Sequence, residues 1–241
     1  MKTLYRPFLG SMACAAVALS AHADLVLVDG SAGSPPSGTS RVARAVGTFV
    51  NPAGGAARLE ATGLATIEGG IGGGTGWWSG GVTRSWELVW NNTSSTLTFR
   101  VFSSNDWSGS SAMSMTQAPV FAPGNSLAGF DFGIQLASTS FSSSATLVYS
   151  DIQFDAGNGF VSVPTADTSY TVSGAFLTSN YHALAGTLTD FTLRGKSTFA
   201  GSVSSSTDFA RFQVDAYQAI PAPGAAALLG LASVMRTRRR R

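Results

Sequence analysis

The stretch Trp86-Glu87-Leu88-Val89-Trp90, followed by Asn91-Asn92-Thr93-Ser94-Ser95 and then Leu97-Thr98-Phe99-Arg100-Val101, decides the fold class. Successive side chains of an extended chain point to opposite faces, so Trp86, Leu88 and Trp90 share one face and Glu87 and Val89 the other. Leu97, Phe99 and Val101 repeat the pattern, alternating with Thr98 and Arg100. The intervening Asn, Thr and Ser residues supply turn chemistry, and the whole predicts a hairpin.

Working outward, the same period recurs at Phe130, Phe132, Ile134 and Leu136, then at Leu147 and Tyr149 near Ile152 and Phe154. Val161 and Val163, Tyr170 and Val172, Leu188, Phe191 and Leu193, and Phe212 and Val214 continue it. Turn residues separate these runs at roughly 8 to 15 positions, and no convincing amphipathic helix intervenes. This pattern predicts an all-β chain, an antiparallel β-sandwich or jelly-roll-like single domain over residues 24–219. Ser31 to Ser40 is rich in Gly, Ser and Pro, and eight of the thirteen residues from Gly69 to Gly81 are glycine; both are expected to be loops. No period of 20 to 50 residues repeats, which excludes a propeller or solenoid.

The chain has 241 residues, of which 12% are charged, about half the usual share, which excludes coiled coils and charge-driven disorder. Its formal charge of +2 conceals a division. Lys2, Arg6, Arg236, Arg238, Arg239, Arg240 and Arg241 sit at the ends, so the body holds eight bases against all thirteen acids, a balance of −5. A broad nucleic-acid face needs clustered Lys and Arg and is not expected. The strand faces turned to water carry Ser and Thr in place of Lys and Glu, a coat that suits a secreted surface protein and offers acceptors for O-linked sugars.

Both ends read as addresses. Lys2 and Arg6 precede an apolar run from Phe8 to Leu19, and Ala21 and Ala23 stand at the −3 and −1 positions of a cleavage site. Residues 1–23 are therefore expected to be a helical signal peptide handled by the Sec translocon and signal peptidase. Ser11 stands where a lipobox preceding Cys14 usually has Leu, which disfavours lipoprotein processing. Cleavage removes Cys14, the sole cysteine, and with it disulfides, Cys-type zinc sites and thiol nucleophiles. At the other end, Pro221-Ala222-Pro223-Gly224 leads into a charge-free run from Gly224 to Met235 and then the Arg block. As a helix that run spans about 18 Å, short of the roughly 30 Å hydrocarbon core, although snorkelling arginines extend its reach and would stay on the cytoplasmic side.

This order of proline motif, small apolar helix and terminal Arg cluster, over residues 220–241, resembles the PEP-CTERM sorting signal of exported bacterial proteins. Ala222 stands where that family's name-giving Glu falls. The resemblance implies an exosortase partner, transient anchoring in the inner membrane, and a destination in the cell envelope or extracellular matrix of a bacterium that makes exopolysaccharide. A noncatalytic, structural or adhesive role is the expected function; a carbohydrate-binding module and a secreted glycoside hydrolase are its rivals.

Candidate chemistry is sparse. His182, the one histidine beyond the signal, lies in Ser179-Asn180-Tyr181-His182-Ala183, which reads as a polar turn before a strand and lacks a nucleophile elbow. Glycoside hydrolysis needs two carboxylates about 5 to 9 Å apart, one with a raised pKa, and nothing selects a pair among Glu60, Glu68, Glu87 and ten Asp. Glu87 is expected to face solvent. The run Gly69 to Gly76 lacks the Lys-Ser or Lys-Thr of a phosphate loop. Asp151, Asp155 and Asn158, beside Gly157 and Gly159, offer fewer oxygens than calcium's usual 6 to 8 and read as a hairpin turn. Neither a cofactor nor a metal is expected. All five tryptophans fall within 31 positions. Trp86 and Trp90 read as core, whereas Trp77, Trp78 and Trp107, in Gly/Ser-rich segments, are candidates for stacking on sugar rings.

Overall fold

A computed structural model describes residues 24–28, 37–49, 55–70, 80–108, 111–118, 127–137, 144–174, 176–185, 190–202 and 209–220. The strands are, in chain order, β1 (Asp24–Leu27), β2 (Thr39–Phe49), β3 (Gly55–Ala61), β4 (Ile67–Gly70), β5 (Thr83–Asn91), β6 (Thr96–Phe102) and β7 (Ser111–Gln117). They continue as β8 (Leu127–Ala137), β9 (Ser144–Asp155), β10 (Val161–Ser162), β11 (Ser169–Ser173), β12 (Phe176–Ala185), β13 (Phe191–Ser202) and β14 (Phe209–Ala219). A single 3-10 turn, Pro164–Ala166, is the only helical element among the described residues. The expected terminal helices lie outside the described residues.

All pairings are antiparallel and form two sheets. The first runs β1-β12-β8-β14-β2-β3-β4, and the second runs β10-β9-β13-β5-β6-β7 with β11 also on β9. The hairpin read from Trp86 to Val101 is β5 and β6, with Leu88 opposite Phe99. Their inward residues, Trp86, Leu88, Trp90, Leu97, Phe99 and Val101, join one core with Phe130, Phe132, Ile134 and Leu136 of β8. Rings meet across the two layers: Trp86 stacks on Phe212 of β14 at 5.9 Å, and Phe130 meets the edge of Phe191 at 5.3 Å. Such pairs contribute about 0.5–1.5 kcal/mol beyond area burial.

Polar bolts cross the same core. The Tyr149 hydroxyl, rising from β9, reaches the carbonyls of Gly133 and Gln213 on two strands of the first sheet, at 2.8 and 2.9 Å. The Tyr170 hydroxyl donates to the Phe132 carbonyl at 2.9 Å. Trp86 Nε1 donates to Ser197 Oγ at 2.9 Å, which satisfies a buried indole.

The three-residue step from Tyr149 to Ile152 marks a β-bulge, where the pairing of β9 with β13 shifts register between Arg194 and Lys196. Asp151 absorbs the extra residue at φ 53°, a left-handed conformation that Asp tolerates better than most residues. Opposite it, a Cβ on Gly195 would overlap Ile152 Cδ1 and stand 2.8 Å from Cζ2 of Trp86. Glycine is needed there for close approach.

Several expectations change. Thr39 and Ser40 belong to β2, and Gly69 and Gly70 to β4, so the two expected loops are shorter. Alanine-rich strands such as β2 bury small side chains and carry a weak periodic signal. Val161 is exposed although Val163 is buried, because β10 ends at Ser162.

Candidate functional site

His182 overturns the expectation of a polar turn before a strand: it sits within β12, fully buried, its ring against Phe132 at 5.2 Å. Pairing with β8 across Phe176 to Ala183 holds this polar run extended, because tertiary pairing outweighs its turn propensity. Burial lowers the His182 pKa; backbone groups of Thr165 and Asn180 oppose that shift without reaching hydrogen-bond geometry. The ring is a neutral core group, with no nucleophile against it.

A carboxylate pair missed in the sequence lies on the outward side of the first sheet. Asp131 of β8 and Asp215 of β14 are cross-strand partners, between inward Phe130 and Phe132 and between Val214 and Ala216. Both are buried, at 4% and 1% exposure. Arg44 of β2 grips Asp215 with two bonds, Nε to Oδ1 at 2.6 Å and Nη2 to Oδ2 at 2.8 Å. Asp131 has a weaker partner, the Ser179 hydroxyl at 2.7 Å on Oδ2, and its Oδ1 accepts no bond. Burial pushes the Asp131 carboxyl up to about 6 and the Asp215 charge adds to this, while Ser179 and Arg44 oppose it. A raised carboxyl beside an ionised one resembles acid/base machinery, but hydrolysis requires contact with substrate. At this burial, with Asp215 neutralised by Arg44, the pair is a structural polar network. Its sequence signal was an Asp in the middle of an apolar alternation, where strands seldom place one.

The remaining acids are engaged singly. Glu60 and Glu68 share Arg58 at 3.5 and 3.2 Å, and Glu87 pairs with Arg100 at 3.4 Å. Glu87 is thus half-covered on the outer face of β5, less open than expected. Asp155 Oδ1 accepts the Gly157 and Gly159 amides at 2.7 and 2.9 Å, and Asp151 pairs with Lys196 at 2.6 Å. The Asp155 contacts make the expected hairpin turn, whereas Asp151 lies outside it in the bulge of β9, and no group of three metal-ligating side chains occurs among the described residues.

Trp107 is the one sugar-contact candidate among the described residues; Trp77 and Trp78 lie outside them, as do Ala21, Ala23, Pro221, Ala222, Pro223, Gly224 and the Arg cluster. Trp86 and Trp90 are core, as read. Trp107 is half-buried on the outer side of the second sheet, and its Nε1 donates to the Trp86 carbonyl at 3.2 Å. The Arg194 guanidinium of β13 lies 4.3 Å from the Trp107 ring centre and 3.4 Å from that of Phe160. Both rings therefore lie within cation–π distance of the one guanidinium. Lys196 Nζ stands 5.2 Å from the indole centre. Gln153 Oε1 accepts from Arg194 Nε and Nη2 at 2.9 and 2.7 Å. Burial lowers the Arg194 pKa, and Glu87 and Asp155 oppose the shift.

Hydroxyl pairs lie elsewhere on the same side of this sheet. Thr83 and Thr198 join at 2.7 Å, Thr98 and Thr116 at 2.9 Å, and Thr146 and Thr171 at 3.0 Å. The outer side of the second sheet thus carries hydroxyl pairs, the Glu87–Arg100 and Asp151–Lys196 ion pairs, and the Trp107–Arg194 stack, to which Phe160, exposed at 41%, was not assigned from sequence.

No family model matches the chain, and no curated protein matches it. Among the described residues no helix is long and apolar enough to cross a membrane; the apolar run before the Arg block lies outside them.

Proposed function

We propose that the chain is an exported, noncatalytic protein of a bacterial cell envelope or extracellular matrix, structural or adhesive in role, whose second sheet presents its outer side to exopolysaccharide. The observation that carries this reading is the Trp107–Arg194–Phe160 stack on a hydroxyl-lined sheet. Aromatic faces and fixed donors are what sugar rings need, and a neutral coat limits unspecific charge attraction. The ends support export: residues 1–23 as a Sec signal, and 220–241 as a PEP-CTERM-like tail that holds the chain briefly in the inner membrane for an exosortase. The jelly-roll description is supported by the chain's alternation between sheets through β8, β9, β12, β13 and β14.

Mass spectrometry of both termini of protein recovered from the extracellular fraction tests the reading. A chain beginning at Asp24 and lacking the Arg block is expected. An exported chain ending in Arg241, or one confined to the cytoplasm, overturns it.

A further inference from the structure

We infer that the Arg194 stack is a carboxylate clamp, and that the polysaccharide it takes is acidic, built with uronate residues. The inference rests on the proposed function and narrows its ligand. Arg194 makes no ion pair within 4.0 Å among the described residues, although Glu87 across the strand pair and Asp155 act on it through space: its acceptor is the neutral Gln153, as Gln135 is for Arg211, whereas Arg44, Arg58, Arg100 and Lys196 each pair with an acid. Its neighbours fix the fork's geometry. Trp107 and Phe160 both lie against the guanidinium, and Gln153 binds the edge carrying Nε and one Nη2 proton. Nη1 and the other Nη2 proton are left as parallel donors, the arrangement that meets both oxygens of a carboxylate.

The surroundings suit the rest of such a ligand. Phe160 and Trp107 offer apolar ring surface for a pyranose, while Ser162 beside Gln153 and Thr192 beside Asp155 offer hydroxyls in the adjoining cross-strand positions. Arg100 lies two strands away in the same row as Arg194, beyond Glu87, at about 9.5 Å by strand spacing. Its charge is matched there by Glu87, so Arg194 alone is the clamp.

Affinity electrophoresis of the full chain through gels containing polygalacturonate or neutral dextran tests this. Retardation by polygalacturonate, with dextran about tenfold weaker, is expected, as is a loss of about tenfold in Arg194→Lys, which cannot make the bidentate pair. Arg58→Lys, on the other sheet, makes the same exchange away from the stack and is expected to bind as the parent does. Melting curves establish that each variant is folded, and Arg194→Gln serves as a second probe if the lysine variant is not. Equal retardation by dextran removes the clamp and leaves the polysaccharide-facing reading in place. Equal weakening by Arg58→Lys detaches the effect from the stack and overturns the clamp. Retardation by neither polymer overturns both.

Discussion

Replacing Asp131 by Asn should stabilise the protein at neutral pH. The carboxyl is buried at 4% exposure on the outward side of β8, faces the Asp215 charge across the strand pair, and leaves Oδ1 without a donor. Its pKa rises from 3.8 to about 6, so the fold holds a proton that the unfolded chain has already lost. The folded state is thus favoured below pH 4, and this contribution is lost as pH rises through 6. Two pKa units correspond to about 3 kcal/mol at pH 7, an upper figure because solvent penetration relaxes buried charges. The amide keeps an oxygen for Ser179, adds a donor on the orphaned side and does not titrate. Urea denaturation of the parent and of Asp131→Asn from pH 4 to 8 should give the variant an advantage of about 1–3 kcal/mol above pH 6, shrinking towards zero at pH 4. The difference curve is essential, because His182, whose pKa burial lowers, acts in the opposite direction: its contribution is present above 6.5 and lost as pH falls. A variant less stable at every pH, with an unchanged pH slope, would refute the reasoning.

Three further outcomes follow from the same geometry. Tyr149→Phe removes a donor from two buried carbonyls of the first sheet and should cost about 1–3 kcal/mol in urea unfolding, more than an exposed hydroxyl deletion such as Thr171→Val. Gly195→Ala forces a Cβ into Ile152 and the Trp86 ring; a loss of about 1–3 kcal/mol and perturbed near-UV dichroism are expected, and an unchanged melting curve would show that the bulge yields freely. His182→Gln should flatten the loss of stability as pH falls below 6.5, measured against the parent by the same titration.

The sequence disclosed the strands whose inward positions are large and apolar. Trp86 to Val101 and Phe130 to Leu136 alternate so strongly that their partners hardly matter. It hid β2 and β12, whose inward positions include Ala43, Ala45 and His182, because small and polar side chains are drawn inside only by the strands alongside. The sites divide in the same way. Trp107 stood out by residue type alone, but Arg194, Phe160 and Gln153 meet it from β13, the turn before β10, and β9, a convergence no spacing encodes. Asp131 and Asp215 are 84 positions apart and become neighbours only through the pairing of β8 with β14.

Hydrogen–deuterium exchange of the full chain with and without polygalacturonate addresses the central claim, that the outer side of the second sheet is the working surface. Segments 103–108 and 156–160, which lie between strands, carry Trp107 and Phe160 of the stack. Slowed exchange in both, with residues 62–66 beside the first sheet unaltered, is the predicted result. Slowing confined to segments of the first sheet, or no slowing at saturating polymer, would contradict the account.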